Sequence, residues 1–269
     1  MRASLVELWQ YRELLYNLTL RDLKVRYKNS VLGIAWSLLN PILMMLVFTL
    51  VYTVMLGQSN RRDYAAFILC GLLPWNFFSG SIMGGVGSVV NNGYLIKKVY
   101  FPRAVLPTSI MLSNLVNFLV ALPVYFVLAW LLGVRFTPYV LLLPIVVIVE
   151  MVFILGMGLL LSALNVFYRD VQQIMEVIIL AWFFLTPVIW DMSLLPASRV
   201  IMGIDVPVQR LTYILNPMAS IIATYRDLLY YGRPIGWDFF LRTTITVSIV
   251  LLIGFFVFNR LKGRFAEEV

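Results

Sequence analysis

Six runs of about twenty or more apolar residues, separated by short polar breaks, constrain this chain more than anything else in it. A bilayer core about 30 Å thick is crossed by about twenty residues of α-helix, because every backbone N–H and C=O is then paired inside the segment. A barrel would instead show alternating segments of about ten residues, and that alternation is absent, so no strand is expected. The runs lie at about residues 31–56, 64–90, 104–132, 139–164, 173–190 and 239–259. With 61% hydrophobic and 13% charged residues over 269 positions, and a mean hydropathy of +0.90, the chain has more apolar surface than a soluble core of this size could hide. The expected fold is an all-α integral membrane protein with six transmembrane helices and no soluble domain.

The breaks carry the rest of the organisation. The polar stretch GQSNRRD turns the first two spans into a hairpin. The charged break from Asn91 to Arg103 precedes a third span containing Pro107 and Pro123, which predict kinks. Residues 191–238 hold Pro196, Pro207, Pro217 and Pro234 among apolar pieces, too interrupted for an ordinary span and too greasy for a free loop. Short interfacial or re-entrant helices between spans 5 and 6 fit that pattern best. Thirteen of the 21 Lys and Arg fall on one side if both ends share it, with the densest clusters at Arg21 to Lys28, Lys97 to Arg103 and Arg260 to Arg264. By the excess of positive charge in cytoplasmic loops, both termini are expected in the cytoplasm. The first residues, MRASLVELWQYRELL, are too charged and too interrupted for the apolar core of a secretory signal, so no cleavage is expected.

Residues 1–30 read as an amphipathic helix. Tyr16, Leu20, Leu23 and Tyr27 fall on one stripe, flanked by Arg21, Lys24, Arg26 and Lys28, whose stems can lie on apolar surface while their charges stay in water. Such a helix lies along a surface. A basic flank that only orients the first span is the plainer alternative.

Several chemistries are missing. There is no histidine, which weakens any enzymatic reading, and the single cysteine, Cys70, permits neither an intrachain disulfide nor a thiolate metal site. The stretch Gly80 to Gly87 lacks the Lys and Ser/Thr of a phosphate loop; its Gly80–Gly84 pair suits close helix packing. The +8 net charge sits in short loops and suits an anionic leaflet, with no aromatic-basic patch for nucleic acid. Glu150, central in the fourth span, fits two readings equally: a cavity-lining or gating carboxylate, or a hydrogen-bonded structural acid. Trp75, Trp130, Trp190, Tyr213 and Trp237 suit interface belts, whereas Trp36, Phe77, Phe78, Phe153 and Trp182 lie deeper. Flat rings there could stack on sugars along a conduit, although lipid contact or helix packing is the plainer reading for any single one.

Read together, LGIAWSLLNP (32–41), LIKKVYFPRAVLP (95–107), NVFYRDV (165–171), LTPVIW (185–190) and LNP (215–217) resemble the permease subunit of ABC-2 type exporters, in the branch that exports O-antigen, teichoic acid or capsule-like polysaccharides. The resemblance spans nearly the whole chain. It implies a six-span half-transporter of the bacterial cytoplasmic membrane that forms a homodimer, works with two copies of a separate ABC ATPase and moves a lipid-linked polysaccharide. ATP and Mg would then be bound by that ATPase and no cofactor by this chain. It also implies that the basic N-terminal helix is an interface helix, that 191–238 forms an external gate, and that Asn91 to Arg103 is the coupling helix seated on the ATPase. Tyr94, Tyr100 and Phe101 among Lys97, Lys98 and Arg103 have the aromatic and basic composition of a protein–protein hot spot; contact with the lipid surface is the alternative. Two other functions stay open at this point: an ABC-2 exporter of a lipid or drug, and a multi-span enzyme of envelope biosynthesis.

Overall fold

The computed structural model describes residues 9–28, 30, 33, 35–55, 63–201 and 204–269. Arg2, Leu32 and the Arg61–Arg62 pair, which entered the charge count and the motif reading, lie outside the described residues. Among the described residues five helical segments are long and apolar enough to cross a bilayer. They are built on Ala35–Thr49 (α2, continued by a π-helical turn Leu50–Met55), Tyr64–Gly87 (α3), Val105–Leu131 (α5), Leu143–Phe167 (α6) and Trp237–Leu261 (α10). The remaining expected span, 173–190, is helical over Asp170–Leu185 (α7). Its 16 residues reach about 24 Å at 1.5 Å per residue, less than a full hydrocarbon core.

Helix α3 is the hub. Its most apolar stretch is 78% buried, against 11% for α2, and it packs on α2, α5, α6, α7 and the helix Pro217–Leu229 (α9). The expected packing role of the glycine pair is visible: a side chain at Gly80 would meet Asn114 at 3.1 Å and one at Gly84 would meet Ile110 at 2.7 Å, both on α5. Helix α10 packs along α6, and at their crossing a Cβ on Gly254 would sit 2.0 Å from the Gly156 carbonyl oxygen. Only glycine lets these two backbones meet.

Three local expectations change. Pro107 falls in the first turn of α5, where no intrahelical donor is lost, so only Pro123 sits in the helix interior. A two-stranded antiparallel hairpin, Arg199–Ile201 with Ile204–Val206, stands where no strand was expected. Three residues per strand are too few for alternation to register, although Val and Ile favour the extended form. Trp75 is buried against Phe78 and Phe183 instead of sitting in an interface belt; Trp130 and Trp237 remain exposed.

The basic helix is present as Arg12–Tyr27 (α1), packed on α5 and on a second apolar cluster. The face it covers only partly overlaps the stripe read from the sequence, of which Leu20 and Leu23 are half-buried. Leu18 and Thr19 are buried and Tyr11, Leu14 and Leu15 half-buried, whereas Tyr16 is 64% exposed. The side of α1 that carries Leu18 therefore lies against protein, and the Tyr16 side faces outward. The break after α3 forms a turn, Val90–Asn92, and a six-residue helix, Gly93–Lys98 (α4). Between α7 and α10 lie the hairpin, a short helix Val208–Leu215 (α8) and α9.

Candidate functional site

The most distinctive feature of the membrane-embedded body is a polar cavity of about 590 Å³ where the end of α1 meets α2, α3 and α5. Its wall carries Arg26, Ser37, Asn40, Asn76, Ser79, Asn114 and Asn117, with Trp36, Phe77 and Phe118 as flat apolar surfaces. Arg26 donates from Nη1 to the Asn114 Oδ1 at 2.9 Å, and Asn114 Nδ2 donates to the Ile110 carbonyl one turn back. Trp36 is 45% exposed, and Phe77 is stacked on Phe118 with ring centroids 5.4 Å apart. Amides and a guanidinium are costly against hydrocarbon, so a lining of this kind suits a ligand with many hydroxyls and an anionic group. Of the aromatic residues singled out for a conduit, this cavity brings together Trp36 and Phe77.

The others meet elsewhere. Phe78 stacks on Phe153 at 5.3 Å, and Trp182 stands edge-on to both. Phe78 and Phe153 are buried, so within one chain this trio fills space between α3, α6 and α7. Glu150 is buried too and is not among the residues lining this cavity; its Oε2 accepts a 2.6 Å hydrogen bond from Tyr225 on α9. Oε1 has no partner among the described residues.

A second cavity, of about 610 Å³, lies between the α4 segment and the end of α10. Lys97, Lys98, Arg103 and Lys262 line it together with Ile96, Phe101 and Phe258. Tyr100 lines it too, 94% exposed, while Phe101 is buried in the second apolar cluster with Ile96, Leu106 and Phe265. The two adjacent aromatics thus have different surroundings: one faces outward, the other anchors the loop. Tyr94 is exposed and is covered by the Lys98 ammonium, 4.1 Å from its ring centroid. Arg21 donates to Asn92 Oδ1 at 3.0 Å, tying α1 to this loop. Lys24 and Lys28 are exposed on α1, and the side chain of Tyr27 lies outside the described residues.

At the opposite end, the two proline motifs grip each other. Asn216 of LNP caps α9 by accepting from the Ala219 N–H, accepts from Trp182 Nε1 at 2.9 Å, and donates to the Thr186 hydroxyl of LTPVIW at 2.8 Å. Pro217 occupies the first helical position, where its missing N–H costs nothing. Arg226, one side of α9, donates to the carbonyls of Pro187 and Val188 and lies 3.6 Å from the Phe67 ring centroid. A side chain at Gly71 would strike both the Val188 carbonyl and Arg226.

Sequence reasoning did not single out Asn40, Asn76, Asn114 and Asn117, nor Arg226 and Tyr225. The available signal was polar side chains within apolar runs, which near a bilayer mark cavities or partners. Among the described residues no group of three His, Cys, Asp or Glu converges as a metal site.

Comparison with known proteins bears on these surfaces. The ABC-2 type transporter family matches residues 13–230. The chain is 39% identical to the O-antigen export system permease protein RfbA of Myxococcus xanthus over 98% of both chains. It is 32% identical to the protein of the same name from Klebsiella pneumoniae, over 95% of this chain and 94% of the other. The polysialic acid transport protein KpsM of Escherichia coli is 22% identical over 80% of each.

Proposed function

Because this chain belongs to the ABC-2 type transporter family, as a polysaccharide-export permease, we propose that it moves a lipid-linked polysaccharide from the cytoplasmic leaflet outward, driven by a separate ABC ATPase. In this reading two copies of the chain pair in the bacterial cytoplasmic membrane, with two ATPase subunits beneath them and both termini in the cytoplasm. Helix α7 completes six crossings by joining the non-helical Thr186–Trp190 stretch to its 16 helical residues, and α8 and α9 form the external gate region.

The observation that carries the reading is the polar cavity at the end of α1. Its amides and hydroxyls match the hydroxyls of a sugar, Trp36 and Phe77 offer ring faces, and Arg26 offers a cation for a phosphate. A hydrophobic drug or a bare lipid chain would offer Arg26 and the four asparagines of that lining no polar group of its own, which favours a glycan over the lipid or drug alternative. Exposed Tyr100 and Tyr94 beside Lys97 and Lys98 serve as the ATPase-facing surface.

The test is reconstitution of the chain with its ATPase in liposomes loaded with a lipid-linked glycan. ATP-dependent appearance of glycan on the far side is expected, and Asn114→Leu or Arg26→Gln should lower it at least about tenfold with the protein still inserted. Transport by the chain without an ATPase, or full transport by both variants, would sink the reading.

A further inference from the structure

We propose that the basic cavity between the α4 segment and the end of α10 is a binding site for the head group of an anionic phospholipid. Its walls bring Lys97, Lys98, Arg103 and Lys262 around one volume of about 610 Å³ without a single carboxylate among the lining residues. Among the described residues the only ion pair is Arg21–Asp22, so these cations have no acidic partner among them. Lys98 is turned to Tyr94, which leaves Lys97, Arg103 and Lys262 as the main donors.

What selects a lipid is where the cavity opens. Along α10 the residues Leu241, Ile245, Ile249, Leu252 and Phe256 are each more than half exposed and fall on one stripe. In a membrane-embedded chain that stripe faces acyl tails. Two turns on from Leu252 and Phe256, the same stripe reaches Asn259 and Gly263, and both line the cavity. A phospholipid lying along α10 therefore delivers its phosphate into the cavity, about 10 Å beyond Phe256 by helical rise. The floor beneath, Ile96, Phe101 and Phe258, is apolar, as suits the glycerol end of the molecule. Tyr100 also lines the cavity but is 94% exposed, so it stays available to the ATPase. A bound anionic lipid would neutralise the inner side of the coupling segment and set its resting position. The inference rests on the cytoplasmic placement of residue 262 proposed above.

Native mass spectrometry of the purified full chain tests it, using dioleoyl phosphatidylglycerol and dioleoyl phosphatidylcholine at equal concentration. Each cation near a lipid surface contributes about fivefold, so the wild type should retain phosphatidylglycerol at least about tenfold better. Combined Lys97→Gln, Arg103→Gln and Lys262→Gln should bring the two lipids level. The same charge change made by Arg199→Gln, Arg210→Gln and Arg233→Gln, away from the cavity, should leave the preference intact, and Lys97→Arg with Lys262→Arg should preserve it. Equal retention of both lipids by the wild type overturns the proposal without any variant. So does a triple cavity variant that keeps its phosphatidylglycerol preference while losing co-purification of the ATPase, since the cavity would then be part of the ATPase seat. Labelling of a cysteine at position 262 from outside would overturn the orientation itself, whereas a wild type that shows no lipid preference while 262 is protected overturns only the lipid site.

Discussion

At the residue scale, the side chains that hold this protein together are polar groups whose partners lie far away in sequence. Arg226 occupies two backbone carbonyls, those of Pro187 and Val188, that no other donor among the described residues reaches, and the Phe67 face covers its guanidinium. Replacing it with methionine orphans both carbonyls at about 1–3 kcal/mol each. Arg226→Met is therefore expected to lower the unfolding temperature in detergent substantially, and Arg226→Lys to lower it less, because an ammonium still donates but loses the planar fork. The pair Tyr225–Glu150 makes an opposite comparison. Tyr225→Phe leaves a buried carboxyl with no partner, whereas Glu150→Gln keeps an acceptor for the tyrosine hydroxyl. Thermal unfolding should separate them, with Tyr225→Phe the more damaging by about 1 kcal/mol or more; the reverse order would show that the carboxylate itself is needed. Neither partnership was legible in the sequence, since a hydrogen bond between positions 75 apart leaves no spacing signal.

At the scale of elements, the loop between α3 and α5 shows how adjacent residues divide their work. Read from composition, Tyr100 and Phe101 belong to one aromatic anchor; folded, Tyr100 is bare and Phe101 is interior. Tyr100→Ala should release or uncouple the ATPase, at about 2 kcal/mol or more of binding, and leave thermal stability unchanged. Phe101→Ala should instead destabilise the chain by about 3–5 kcal/mol, as for a phenylalanine removed from a core. ATPase co-purification and thermal unfolding measured on the same preparations distinguish them, and equal profiles would refute the division. Helix crossings give a second comparison. Gly254→Ala forces a methyl onto the Gly156 carbonyl and should cost about 1–3 kcal/mol, whereas Gly158→Ala meets open space and should be neutral or slightly stabilising in thermal unfolding. The glycine pair that spacing suggested, Gly80 and Gly84, does pack closely, but Gly156 and Gly254 sit on separate helices and no motif links them.

At the scale of the whole molecule, orientation is the property to measure. In a Cys70→Ser background, single cysteines at 98 and 262 should resist an impermeant label added from outside, and cysteines at 199 and 210 should react; labelling at 98 or 262 would refute the orientation. What the sequence alone determined is the class and plan: helical spans from apolar runs of bilayer length, a basic α1, a charged loop between α3 and α5, and an interrupted stretch before α10. These follow from lengths and local composition, because in hydrocarbon the backbone must satisfy itself within each segment. The motifs also led to the correct transporter family. Tertiary structure alone decided that α3 is the hub, that α1 turns its Leu18 face to the protein, that LTPVIW and LNP are hydrogen-bonded to each other, and that scattered asparagines from three helices surround one cavity with Arg26. The reason is physical: when nearly every helix face is apolar, periodicity cannot say which face meets lipid and which meets protein, and only packing makes that choice.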